Sequence, residues 1–227
     1  VEMTVALHHV FDSPVDKIIF DVSHQTYIHK MLTGRQKTFM NPKYYDDVSG
    51  YTNPKESEHD LFTIGHTSTS LSLASGILHA RDLKNEKSNV VAIIGDGALS
   101  GGMAYEGLNT IATLGTNAII IINDNDQSIA KNPKGGIYTA LENLRKTKGQ
   151  ATNNIFKALG YDYHYLEDGN NLEELISLFK EVKDIDHPVV LHIYTEKGKG
   201  FKPAEENHEK FHAGGPFSLE TGEYIKK

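Results

Sequence analysis

The sequence predicts an α/β protein built on a doubly wound, mostly parallel sheet flanked by helices, and two observations carry that reading. Four short runs rich in β-branched residues are apolar almost throughout, the pattern of strands buried on both faces of a parallel sheet. Stretches with helical apolar spacing lie between them, so strand and helix alternate along the chain.

Taken in order, the opening "VEMTVALHHVF" places "HHVF" on a helix face, and the first strand is expected at 17–22, "KIIFDV". Residues 33–60 carry Gly, Pro, Asn and charge and read as a long excursion over the strand ends. A helix is expected at 67–84, then the strand "NVVAIIG" at 89–95, the turn "GDGALSGG", and a helix at 101–114. The strand "NAIIIIND" follows at 117–124 and a second excursion at 128–150; long loops of this kind usually carry function. The pattern then predicts helices at 151–159 and 171–183, the latter opened by "GNNLEEL" with Asn171 as its N-cap, and a last strand at 187–195, "HPVVLHIYT".

The 227 residues are enough for one sizeable core, and one domain spanning 1–227 is the simplest organisation. The net charge of −7, with 23 Lys and Arg scattered along the chain, leaves no basic stripe for nucleic acid. There is no cysteine, which excludes disulfides, thiolate metal sites and thiol nucleophiles. No apolar run approaches the roughly 18–20 residues of a membrane span, and the opening residues carry no basic leader. A cytoplasmic protein is expected, and a start without Met reads as the middle of something longer.

Asp96 is a charge wedged between glycines at a strand end. Two readings are open for it: the N-cap of an ordinary strand-to-helix turn, or a carboxylate facing a ligand beyond the carboxyl ends of the strands. The helix that follows offers N–H groups to anionic oxygens. The next strand ends at "NDND", and Asn125 lies 29 positions after Asp96, one helix plus one strand, which returns the chain to the same sheet edge. One carboxylate and one amide oxygen suit Mg²⁺, which takes its remaining oxygens from water and a phosphate. The pair therefore implies a metal-bridged diphosphate.

"GDG" followed 25 residues later by "NDN" resembles the thiamine diphosphate signature of transketolases, decarboxylases and related enzymes. By that resemblance Asp96, the Asn125 side chain and the Gln127 main-chain carbonyl hold Mg²⁺, and Gly97 and Ala98 contact the diphosphate. Five ordered blocks narrow the likeness: "DVSHQTYIHKMLTGR" (21–35), "ESEHDLFTIGHTSTSLS" (56–72), "GDGALSGGMAYEGLN" (95–109), "NDNDQSI" (123–129) and "TEKGKGFKPAEENHEKFH" (195–212). All resemble the 1-deoxy-D-xylulose-5-phosphate synthase family. The resemblance implies that His24 reaches the cofactor and that Gly65, His66 and Thr67 form a turn at the diphosphate. Phe201 takes the aromatic position near the thiamine, and His212 lies in the substrate region. His24, His66 and His212 are the implied catalytic residues. Each also has a structural reading, as a core or surface side chain, and Lys197 and Lys199 read equally as phosphate contacts or solvated lysines. His8, His9, His29 and His59 lack metal-ligand spacing and receive no chemistry.

The family's reaction joins pyruvate, after loss of CO₂, to glyceraldehyde 3-phosphate, feeding isoprenoid and thiamine biosynthesis. The resemblance covers only the first of the family's three domains, the one that grips the diphosphate. The glutamate that activates the cofactor belongs to a pyrimidine-binding domain, required in cis or in trans, and Glu106 is not that residue. A homodimer is expected. Phe20 and Ser23 stand where Trp and Gly are commoner, Ser49 where bacterial members often have His, and the segment around 130–155 is shorter than usual. The alternatives are the amino-terminal subunit of a split transketolase, moving ketol groups between sugar phosphates, and a non-catalytic cofactor-binding fragment.

Overall fold

The computed structural model describes residues 1–127, 132–213 and 215–225. Its centre is a five-stranded, wholly parallel sheet in the order β1-β2-β3-β5-β4. In chain order the elements are α1 (Glu2–Val10), β1 (Lys17–Phe20), α2 (Tyr27–Lys30), α3 (Gln36–Met40), α4 (Ser70–Leu83), β2 (Val90–Gly95), α5 (Gly102–Leu114), β3 (Ala118–Asp124), α6 (Gly136–Lys146), α7 (Ile155–Ala158), β4 (Asp162–Leu166), α8 (Leu172–Val182), β5 (Pro188–Tyr194) and α9 (Lys202–Glu206). The four aliphatic runs are β1, β2, β3 and β5, as expected.

The continuous apolar character of these strands has the expected cause: each side of the sheet is covered. Val90, Ala92, Ile94, Ile120 and Ile122 point to a core shared with α4, α5 and α6, through Leu71, Leu78, Leu108, Ile111, Leu141 and Leu144. The alternate residues Val91, Ile93, Ile119, Ile121, Leu191 and Ile193 point the other way, to α1 and α8 through Leu7, Leu175 and Phe179. Helices α4 and α5 approach so closely that a Cβ on Gly107 would lie 2.6 Å from the Leu71 Cβ. Asn171 caps α8 as read, its Oδ1 accepting from the N–H groups of Glu173 and Glu174.

Beyond the short helices α2, α3 and α9, which the sequence pattern did not mark, three elements depart from the expectation. β4 is a fifth strand that the aliphatic pattern did not mark. Its "DYHYL" buries only Tyr163 and pairs with β5 alone, so an edge position replaced the aliphatic signal with aromatic and polar residues. α6 occupies a stretch read as irregular: Ile137, Leu141 and Leu144 keep helical spacing there, but the Gly, Pro and Lys around them masked it. The helix expected at 151–159 contracts to the single turn α7, capped by Asn154.

Candidate functional site

A cavity of about 820 Å³ opens at the carboxyl ends of the strands, within the usual range for ligand pockets. Segments following all five strands reach it, because the ladder continues past the strands into the turns. Asp21 N donates to Ile93 O at 2.8 Å, Asp96 N to Asn123 O at 3.3 Å, Thr195 N to Asp124 O at 2.8 Å, and Gly169 N to Tyr194 O at 2.8 Å.

The turn after β1 holds two consecutive non-glycine residues in the left-handed region, Val22 (φ 58°) and Ser23 (φ 64°). Tertiary bonds hold it there. Asp21 accepts from Ser68 N (2.8 Å) and Ser70 N (2.9 Å), so a residue far away in sequence caps the start of α4. The buried Ser23 Oγ donates to Ile64 O and accepts from Thr52 N, both at 3.0 Å. This turn presents His24 to the cavity. Burial, and the charge of Lys197 against the opposing pull of Asp21, hold His24 below its ordinary pKa.

Asp96, Gly97 and Ala98 line the cavity after β2. Asp96 is only 2 % exposed, and burial together with the charge of Asp124 pushes its carboxyl up to about 6, against hydrogen bonds from Asn132 and the Gly97 N–H. Asn132 Nδ2 donates to Asp96 Oδ2. The first readings of Asp96 therefore separate. α5 starts only at Gly102, after a short helical turn at Ala98–Ser100, and no side chain caps it, so Asp96 is not its N-cap.

After β3, Asn125 and Gln127 line the same cavity, and Asn125 Oδ1 accepts from Gln127 N at 3.1 Å in a tight Asx-type turn. Ser128 and Ile129 of the block "NDNDQSI" lie outside the described residues. After β5, Lys197, Phe201 and His212 complete the wall. Lys197 Nζ donates to His212 Nδ1 at 2.6 Å, which leaves the proton of a neutral His212 ring on Nε2. Burial and the charges of Lys197 and His24 hold His212 below its usual pKa. The Phe201 ring lines the cavity and packs against Phe211 and Phe217 at 5.5 and 5.6 Å.

Nine of the residues singled out thus meet in one cavity: His24, Thr67, Asp96, Gly97, Ala98, Asn125, Gln127, Phe201 and His212. Gly65 and His66 do not line it; both are exposed on the turn leading to Thr67, where the His66 ring bonds Thr67 O at 2.7 Å. Among the described residues no group of three or more His, Cys, Asp or Glu could hold a metal ion. The oxygen-bearing residues expected to hold a hard cation, Asp96, Asn125 and Gln127, all line the cavity. Two of the histidines left without chemistry form a structural chain instead: His8 Nε2 lies 2.9 Å from His29 Nδ1, and His29 Nε2 lies 3.0 Å from Asp60 Oδ1. The sequence reading missed Asn132 and Arg145. Arg145 carried one faint signal, a long cation beside the Leu141–Leu144 stripe of α6.

A family model described as 1-deoxy-D-xylulose-5-phosphate synthase matches residues 1–153 and 146–195. The two pieces overlap within the stretch read as shortened. The curated 1-deoxy-D-xylulose-5-phosphate synthase of Listeria monocytogenes serotype 4b is 47 % identical over 233 residues, covering 100 % of this chain and 38 % of that protein. The enzymes of the same name from Caldanaerobacter subterraneus and Clostridium acetobutylicum are 44 % and 45 % identical, covering 99 % and 100 % of this chain and 42 % of each relative. The chain thus spans about two fifths of the length of these relatives. In fold it is similar to a solved chain described as a thiamin diphosphate-dependent enzyme isolated from Mycobacterium smegmatis. The TM-score is 0.54 at 15 % identity, covering 85 % of this chain and 31 % of that one.

Proposed function

This chain belongs to the 1-deoxy-D-xylulose-5-phosphate synthase family, and from that premise we propose that it is the domain of such an enzyme that holds the diphosphate end of thiamine diphosphate through Mg²⁺. The reaction is the condensation of pyruvate, with loss of CO₂, and glyceraldehyde 3-phosphate to 1-deoxy-D-xylulose 5-phosphate. The observation that carries this reading is the convergence of Asp96, Asn125, Gln127, His24, Phe201 and His212 on one cavity beyond the strand ends. The alternative of a split transketolase subunit is not favoured by the relatives matched.

The donor set fits the group. The Asp96 carboxylate, the Asn125 side-chain oxygen and the Gln127 carbonyl would hold Mg²⁺, and the backbone at Gly97 and Ala98 lies where a diphosphate can approach it. When bound, the cofactor supplies the electron sink for decarboxylation and carbon–carbon bond formation. This chain's residues bind, orient and move protons. His24, held below the usual histidine range, faces the cavity able to accept a proton at a ring nitrogen, while His212, its Nδ1 engaged by Lys197, offers Nε2–H as a donor. Lys197 orients the His212 ring through Nδ1 and adds a positive charge to the wall. Phe201 supplies an apolar surface and Thr67 a polar one, while Gly65 and His66 precede Thr67 on its turn outside the cavity lining, the His66 Nδ1–H given to Thr67 O. The pyrimidine half of the site comes from a further domain, in cis or in trans. A cytoplasmic homodimer acting on small molecules is the assembly proposed. No helix among the described residues is long and apolar enough to cross a membrane.

The test is CO₂ release from pyruvate by the full-length protein with glyceraldehyde 3-phosphate, thiamine diphosphate and Mg²⁺. Release that is lost in Asp96→Ala, together with Mg²⁺-dependent cofactor binding, is the expected result. Ketol transfer without CO₂, or an Asp96→Ala protein that still binds cofactor in a Mg²⁺-dependent way, would overturn the reading.

A further inference from the structure

Behind the turn that carries Asn125 and Gln127 lies a set of charges that the reading above does not use. Arg145, near the end of α6, is 12 % exposed and reaches both neighbours of Asn125. Its Nη1 donates to Asp124 Oδ2 at 2.5 Å and its Nη2 to Asp126 Oδ1 at 2.7 Å. Asp124 is fully buried at the end of β3. It also accepts from His192 Nε2 of β5 at 2.8 Å and from Asp126 N at 3.0 Å. On its far side His192 Nδ1 lies 2.8 Å from the Tyr163 hydroxyl of β4.

This arrangement has two consequences for the turn. Asp126 stands in the left-handed region at φ 59°, a conformation that costs a non-glycine residue free energy unless contacts hold it. The guanidinium holds the side chain of Asp126 and the Asp124 carboxylate its N–H, and its carbonyl accepts from Asn132 N at 3.4 Å. Asn125 therefore sits between two clamped residues, with its Oδ1 fixed by Gln127 N. The second consequence is electrostatic. Two carboxylates flank a candidate cation ligand, and a permanently charged, forked guanidinium is the side chain that can compensate and space both at once.

We propose that Arg145 is a positioning residue of the metal site: by bridging Asp124 and Asp126 it sets the Asn125 amide oxygen and the Gln127 carbonyl in register with Asp96. The inference rests on the assignment of Asp96, Asn125 and Gln127 as the Mg²⁺ ligands. It ties the metal site to α6, an element that lines none of the cavity.

The experiment titrates Mn²⁺, as a paramagnetic stand-in for Mg²⁺, into the full-length protein with thiamine diphosphate, following free and bound ion by electron paramagnetic resonance. Arg145→Met is expected to weaken Mn²⁺ binding about 10- to 100-fold, the range for loss of a residue that orients a metal ligand, and to alter the spectrum of the bound ion. Arg145→Lys, which keeps the charge but not the fork, is expected to recover part of the affinity. Asp126→Asn keeps the buried Asp124–Arg145 pair, so it carries the test even where Arg145→Met does not fold; it is expected to weaken binding by a smaller factor. Wild-type affinity and spectrum in folded Asp126→Asn and Arg145→Lys proteins, with binding lost in Asp96→Ala, would overturn the role of Arg145 alone. Wild-type binding in Asp96→Ala and Asn125→Ala would instead remove the metal-site assignment, and this inference with it.

Discussion

Ser23 shows how a single side chain offsets an unfavourable backbone. At φ 64° it stands where glycine is at ease, and its hydroxyl binds two buried backbone groups, Ile64 O and Thr52 N. Ser23→Ala keeps the strain and leaves both groups unpaired, so a loss of about 2–3 kcal/mol is expected. Ser23→Gly loses the same bonds but not the backbone cost, and is expected to be about 1 kcal/mol more stable than the alanine variant in chemical denaturation. A second residue-level expectation concerns pH. Burial, with His29 and His59 nearby, holds His8 down to about 4. Its pKa in the unfolded chain is about 6.5, so on acidification the unfolded chain takes up this proton first. The His8 contribution to stability is therefore intact above pH 6.5 and declines as the pH falls to about 4. His8→Gln is expected to flatten the urea midpoint across that window. Below it, Asp60 begins to lose its contribution, because hydrogen bonds from His29, Arg35 and Asn53 outweigh burial and hold its carboxyl well below the usual range.

Among the elements, the α4–α5 contact separates two glycines that look alike in sequence. Gly107 of α5 has Leu71 and the backbone at Ser72 where a Cβ would go, at 2.6 and 2.9 Å. Gly107→Ala is expected to destabilise by about 1–3 kcal/mol through overpacking. Gly76 lies exposed in the middle of α4 with nothing within 4 Å of the added Cβ. Gly76→Ala is expected to stabilise by about 0.5–1 kcal/mol through helix propensity. Thermal midpoints of the two variants, moving in opposite directions, check both. The cap on α8 was legible because Asn171 acts on groups two and three residues away. The cap on α4 was not, because Asp21 supplies it across 47 and 49 positions.

For the molecule as a whole, a site assembled from segments after every strand couples ligand binding to global stability. A ligand that binds only the folded form stabilises it by about 2.7 kcal/mol at a hundredfold excess over Kd. Thiamine diphosphate with Mg²⁺ is therefore expected to raise the thermal midpoint of the full-length protein, and chelation of the metal to remove the rise. Asp96→Ala is expected to abolish the shift while Gly76→Ala retains it.

The sequence by itself determined the layered α/β architecture, four of the five strands, and the return of Asp96 and Asn125 to one sheet edge. Each is written in local pattern: continuous aliphatic runs, glycine-flanked turns, and a spacing of one helix plus one strand. The tertiary structure alone decided that "DYHYL" is an edge strand, that 136–146 is a helix, and that Arg145 and Asn132 stand beside the turns after β3 and β2. Those outcomes depend on which strands become neighbours. The order β1-β2-β3-β5-β4 brings β5 and its His192 against Asp124 and folds α6 back onto the turn after β3. Local periodicity encodes the burial of a residue on its own element, whereas the partner it meets there is set by the packing of elements far apart in the chain.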